Sequence, residues 1–141
     1  MEKSSRRAQA AVLKVKLRRL DDWSGARVAN ASLYDKLLDR IPGVVVPTVR
    51  DCCRHVFHQY TIRTKQRDFV QMQLQERGIG STVYYPTPLH LQPMYSYLKY
   101  GTGTLLHAER ACAEVLSLPI YAELTRTEIE AVADAIARVV L

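Results

Sequence analysis

Apolar residues recur along the first forty positions at helical spacing. Leu13, Leu17 and Leu20 fall at i, i+4 and i+7, and Ala8, Ala10 and Ala11 favour helix, so residues 5 to 20 are expected to be helical with one apolar stripe. Asp21-Asp22-Trp23-Ser24-Gly25 interrupts the pattern. A second stretch carries Val28, Ala31, Tyr34, Leu37 or Leu38, and Ile41 on one face, and Pro42-Gly43 ends it. The spacing predicts one long kinked helix or two nearly collinear ones over residues 1–41.

Beyond Pro42 the pattern changes. Val44 to Pro47 reads as a short extended piece, and its proline confines it to a sheet edge. His55 to Thr64, rich in Val, Phe, Tyr, Thr and Ile, is the strongest strand signal. Gln66 to Arg77 is expected as a helix closed by Gly78, and Ser81 to Tyr85 as a second strand closed by Pro86. The three prolines between 86 and 93 predict a loop. A helix over 105–115, a brief strand over 116–120 and a last helix over 125–139 complete the chain. Thr125 with Glu128 three residues on forms a capping-box pattern. The order predicts an α+β fold: a long N-terminal helix, then a small mainly antiparallel sheet covered by helices over 42–141.

The 141 residues are enough for one domain with its own core, and 48% hydrophobic with 24% charged residues reads as soluble and globular. No apolar run approaches a membrane span, and no secretory signal stands at the start. Three cysteines, two adjacent, make no disulfide framework, so a cytoplasmic, reducing compartment is expected. Twenty Lys and Arg against fourteen Asp and Glu give +6, concentrated at Arg6, Arg7, Lys14, Lys16, Arg18 and Arg19. That charge suits an anionic partner, but no recognition module follows the basic helix, and nucleic-acid binding stays the weaker reading.

Cys52-Cys53-Arg54-His55-Val56-Phe57-His58 holds ligand types that zinc prefers. On an extended strand Cys53 and His55 would share one face, and Cys52 and His58 the other, so four ligands would not converge. No metal site is expected there. A Cys/His nucleophile pair lacks a visible oxyanion hole, and Cys112 reads as a core residue on the apolar side of a helix.

Ser81 to Pro93 differs in kind. A strand delivers Tyr84 and Tyr85 to its end, and a proline-stiffened loop presents His90 and Gln92. Aromatic faces suit stacking on a base or sugar ring, and imidazole and amide groups suit hydroxyls and phosphate. As pattern alone, a binding loop and a packed turn remain equally open.

The run Gly78-Ile79-Gly80-Ser81-Thr82-Val83-Tyr84-Tyr85-Pro86-Thr87-Pro88-Leu89-His90-Leu91-Gln92 resembles the C-terminal signature of the DegT/DnrJ/EryC1/StrS family of pyridoxal-phosphate-dependent sugar aminotransferases. Flanking segments match in order. Gln9 to Leu17 resembles the helix after the family's large domain, and Gln59 to Arg63 with Arg67-Asp68 resembles the small-domain strand and helix start. Leu116 to Tyr121 and Glu123 to Thr125 resemble the closing segment.

The resemblance implies the small domain of a fold-type I aminotransferase. In the intact family, pyridoxal phosphate (PLP) carries an amino group from glutamate to a nucleotide-linked keto sugar. It places Tyr84, Tyr85, His90 and Gln92 near the sugar-nucleotide entrance, in binding and closing roles. It also implies that the large PLP-binding domain is absent here, since the six lysines (3, 14, 16, 36, 65 and 99) lack the aldimine context. The family's asparagine and arginine ahead of Gln9 are replaced by Glu2 and Ser4. No catalytic residue, no covalently held PLP and no transamination are expected of the chain alone. The alternative is a non-catalytic module that self-associates or docks on an aminotransferase through the N-terminal helix, with Leu13, Leu17, Leu20 and Trp23 exposed.

Overall fold

The computed structural model describes residues 2–140, with side chains from Arg7 to Val140; those of Glu2, Lys3, Ser4, Ser5 and Arg6 lie outside the described residues. Two helices open the chain, α1 (Glu2–Leu17) and α2 (Leu20–Leu38), separated by a two-residue break. The expected stripe of α2 is buried: Ala31, Tyr34 and Leu38 are inaccessible to solvent and Ile41 nearly so. Trp23, expected to be exposed, is half-buried at the start of this packed helix.

Three strands form an antiparallel sheet in the order β1 (Val44–Val45), β2 (Tyr60–Thr64), β3 (Val115–Leu118). Val44–Val45 lies at an edge, where Pro47 costs no ladder bond. Tyr60 pairs with Leu118 and Ile62 with Leu116, which sets four buried side chains on one face. Thr61 opposes Ser117 on the other face, and their hydroxyls lie 2.8 Å apart.

The expected strand from His55 starts five residues late. Phe57 adopts φ +46°, outside strand geometry, and its N–H donates to His55 Nδ1 at 3.0 Å. Local hydrogen bonding there replaces the ladder, while the Phe57 ring still enters the core. The expected strand 81–85 shrinks to one antiparallel bridge, Thr82 with Ser117. Val83 packs partly against the core, but Tyr84 and Tyr85 stay exposed, and the pairing stops after that one bridge.

Helix α3 (Arg67–Glu76) buries Val70 and Leu74, one turn apart. It ends as the sequence predicts. Gly78 sits at φ +72°, its N–H donates to Gln75 O at 2.9 Å, and the Ile79 N–H donates to Leu74 O at 2.9 Å. That is the double bond of a Schellman end. Helix α4 (Leu106–Glu114) has no buried residue, and Cys112, expected in the core, is half-buried.

Helix α5 (Arg126–Val140) packs on α2 and α3 through Ile129, Val132, Ala133 and Ile136. Its capping box is formed: the Thr125 N–H donates to Glu128 Oε2 at 2.8 Å, and the Glu128 N–H to Thr125 Oγ1 at 3.3 Å. The Thr125 N–H foremost, then the Thr125 hydroxyl, which donates to Glu128 Oε2 at 2.7 Å, hold the Glu128 carboxyl below its ordinary pKa. One core thus joins α2, the inner sheet face, α3 and α5. Helix α1 adds nothing to it: Val12, Leu13, Val15 and Leu17 are all more than half exposed. Among the described residues no helix is long and apolar enough to cross a membrane.

Candidate functional site

The segment after Thr82 leaves the sheet and runs across the end of β3. Tyr84 and Tyr85 are joined by a cis peptide, and their rings meet edge to face with centroids 6.0 Å apart. Tyr85 is 69% exposed and Tyr84 46%, so both offer aromatic surface to solvent. The 86–93 stretch expected as plain loop contains a 3₁₀ turn, Leu89–Leu91, and a second, Pro93–Leu98, starts at its last proline. Proline fixes φ near the value such turns need, and Pro93 stands at the first position of the second.

The four expected site residues do not converge on one cavity. Tyr84 lines a shallow groove of about 260 Å³ with His58, Gln59, Ser81, Thr82 and Ser117. Tyr85 projects into solvent. Gln92 is half-buried and extended between the two turns, and its N–H donates to Leu89 O at 3.1 Å.

His90 is buried. Its Nε2 lies 3.1 Å from Glu109 Oε1, and its ring meets Tyr100 edge-on. Glu109 also accepts the N–H of Gly103 at 2.9 Å and of Leu105 at 3.2 Å. The Gly103 amide foremost, then the His90 and Leu105 bonds, holds the Glu109 carboxyl below its ordinary pKa. His90 therefore braces the loop against the start of α4.

Sequence reasoning missed Glu109 as the partner of His90, and His58 and Gln59 as neighbours of Tyr84. Glu109 had a signal, an acid in the first turn of a helix, where it complements the helix dipole. The placement of His58 depended on where β2 begins, which the left-handed Phe57 decides.

A second polar cluster lies on the outer sheet face. Arg63 Nη2 contacts Glu114 Oε2 at 2.7 Å, and Arg110 Nε contacts Glu114 Oε1 at 2.9 Å. The two guanidiniums, Arg63 first, hold the Glu114 carboxyl below its ordinary pKa.

A lysine that forms a Schiff base is activated by desolvation in a pocket or by a neighbouring cation. Lys14, Lys16, Lys36, Lys65 and Lys99 are all exposed. Lys65 borders a groove of about 430 Å³, but the acid there, Glu114, already accepts from both arginines. The described side chains do not fit PLP as a covalent cofactor. Among the described residues no group of three or more His, Cys, Asp or Glu gathers as a metal site either.

The comparisons with known proteins extend over almost all of these elements. The profile of the DegT/DnrJ/EryC1/StrS aminotransferase family matches residues 6–137. A pleiotropic regulatory protein of Geobacillus stearothermophilus is 47% identical over 131 residues, covering 92% of this chain and 35% of that protein. The dTDP-3-amino-3,4,6-trideoxy-alpha-D-glucose transaminase of Streptomyces venezuelae is 40% identical, covering 91% and 34%. The crystal structure of S. venezuelae DesV in complex with a ketimine intermediate superposes with a TM-score of 0.89 at 39% identity, over 92% of this chain and 35% of that one. The chain spans about a third of the length of the curated relatives it matches. With the signature segment, the three-stranded sheet and its helices all shared, the chain belongs to the DegT/DnrJ/EryC1/StrS aminotransferase family.

Proposed function

We propose that this chain supplies the small domain, the C-terminal third, of a sugar-nucleotide aminotransferase. The whole enzyme would move an amino group from glutamate to a nucleotide-linked keto sugar, with PLP held by a large domain outside these 141 residues. The observation that carries this reading is the superposition on the ketimine-bound structure across 92% of the chain. The family and that structure's ketimine point to PLP chemistry, in which the cofactor serves as the electron sink for amino transfer. The exposure of Lys14, Lys16, Lys36, Lys65 and Lys99 supports a Schiff-base amine supplied by the rest of the enzyme, with this chain inactive on its own.

In this reading Tyr84 and Tyr85 give aromatic faces to the sugar nucleotide, and Gln92 lies beside them as a polar contact. His90, fixed by Glu109, keeps the loop closed in the shape that presents them. Residues 1–41 act as an interdomain helix region, with α1 free and α2 packed into the core of the small domain of residues 42–141. Three free cysteines suit a reducing, cytoplasmic compartment.

The test is incubation of the purified chain with PLP, borohydride reduction and peptide mass mapping. Scattered, substoichiometric labelling of exposed lysines is the expected result. A stoichiometric adduct on one lysine would overturn the reading and make the chain a self-sufficient cofactor enzyme.

A second reading rests on helix α1. Leu13 and Leu17 on α1 and Leu20 at the start of α2 are exposed, and an apolar stripe of that kind marks an association surface. In this reading the chain is an interaction module that self-associates or docks on an aminotransferase large domain. Concentration-dependent mass in light scattering supports self-association, and a monomer at all concentrations counts against it.

A further inference from the structure

Cys52 and Cys53 belong neither to the core nor to the groove beside Tyr84. On an extended strand they would point to opposite faces, but the structure places them in a turn, where the Cys53 N–H donates to Arg50 O at 2.9 Å. Both thiols are exposed, and their Sγ atoms are 3.8 Å apart. Two thiolates about 2.3 Å from one tetrahedral centre stand about 3.8 Å apart. A linear two-coordinate ion would need about 4.6 Å at the same bond length.

The spacing therefore suits a bent, soft centre. Structural zinc takes four protein ligands, and no third His, Cys, Asp or Glu joins the pair among the described residues. The matching ligand is one that two thiolates complete. Cys53 also borders a groove of about 440 Å³ whose walls include Val28, Val49 and Phe57, room for an apolar substituent.

We propose that Cys52 and Cys53 form a chelating dithiol site for trivalent arsenicals, with the organic group of an aryl arsenical seated in that groove. The chemistry is an exchange without redox change. A hydrated aryl arsenical carries two hydroxyls on arsenic(III). Each thiol loses its proton, each hydroxyl leaves as water, and two As–S bonds replace two As–O bonds. Arsenic(III) is pyramidal and asks for a narrower S–As–S angle than tetrahedral, which rotation of an exposed cysteine supplies.

The test adds phenylarsine oxide to the chain, followed by excess 2-mercaptoethanol and intact mass measurement. One arsenical per chain, retained against the monothiol and released by the dithiol 2,3-dimercaptopropanol, is expected. C52S and C53S should each lose the retained adduct, and C112S should keep it. Alkylation with iodoacetamide gives a readout that needs no variant: the arsenical should protect Cys52 and Cys53 together and leave Cys112 unprotected. Release by the monothiol, retention in C52S, or an adduct that bridges two chains would each overturn the proposal. The outcome is independent of the PLP labelling experiment.

Discussion

Glu109 and His90 meet across nineteen positions of sequence, Oε1 to Nε2 at 3.1 Å, and the same carboxylate accepts the amides of Gly103 and Leu105. One side chain thus ties the 3₁₀ turn, the 101–105 loop and the start of α4 together. The Gly103 amide and His90 depress its pKa in the folded state, so the folded chain binds fewer protons than the unfolded one as pH falls below the ordinary 4.5. Stability from this group is complete above that value and is lost as pH drops through the folded one. Glu114 and Glu128 shift the same way. The denaturant midpoint should therefore fall from pH 6 to pH 3. Protection factors at Gly103 and Leu105, exchange rates taken relative to the intrinsic rate at each pH, should fall over the same range, and E109Q should remove that local pH dependence.

His90 and Tyr85 separate packing from presentation. His90 is buried against Glu109 and Tyr100, whereas Tyr85 is largely in solvent. H90A should speed proteolytic cleavage within residues 93–105. Y85A should change stability by no more than about 0.5 kcal/mol, as exposed sites do. Equal susceptibility of the two variants to limited proteolysis would contradict the strut role of His90.

The helices were legible because their signals are local. Gly78 after an apolar i, i+4 pair, Thr125 with Glu128, and Pro42-Gly43 each act within one turn of chain. The strands were legible only where a period-two burial pattern was enforced, as at Tyr60, Ile62 and Thr64. Val56 and Phe57 carry strand propensity, but the His55 imidazole takes the Phe57 amide and turns the chain. The Tyr84 segment shows the same limit: Val83 packs partly on the core, the tyrosines after it stay exposed, and the pairing ends at one bridge. At the candidate site the residue types were readable, but the His90–Glu109 pairing depends on a fold that brings distant positions together.

Tyr34 and Tyr60 form the polar-tipped centre of the core. Their rings stack with centroids 4.9 Å apart, Tyr34 Oη donates to Pro119 O at 3.1 Å, and Tyr60 Oη donates to Asp35 Oδ1 at 2.6 Å. Burial raises both phenol pKa values far above the ordinary range, so both stay protonated as donors. Y34F should cost about 1 kcal/mol, the net worth of one hydrogen bond. Y34A should cost about 3–5 kcal/mol through the cavity it opens, much of the stability of a domain this size. Urea melts followed by circular dichroism measure both, and an Ala variant as stable as the Phe variant would disprove the packing role.

Gly78 and Gly80 form an internally controlled pair two residues apart. Neither has an atom within 4 Å of where a Cβ would stand, so a methyl group meets no steric barrier at either. Only Gly78 has a positive φ, +72°, and only there does the chain close a helix with the bonds to Leu74 O and Gln75 O. G78A must place an L-residue in the left-handed region at a cost of about 1–2 kcal/mol. At Gly80 the same substitution chiefly reduces the freedom of the unfolded chain, and G80A should be neutral or stabilise by up to about 1 kcal/mol. The two midpoints in urea should move in opposite directions or differ by at least the left-handed penalty. Equal midpoints would mean that α3 does not depend on the Gly78 turn for its end.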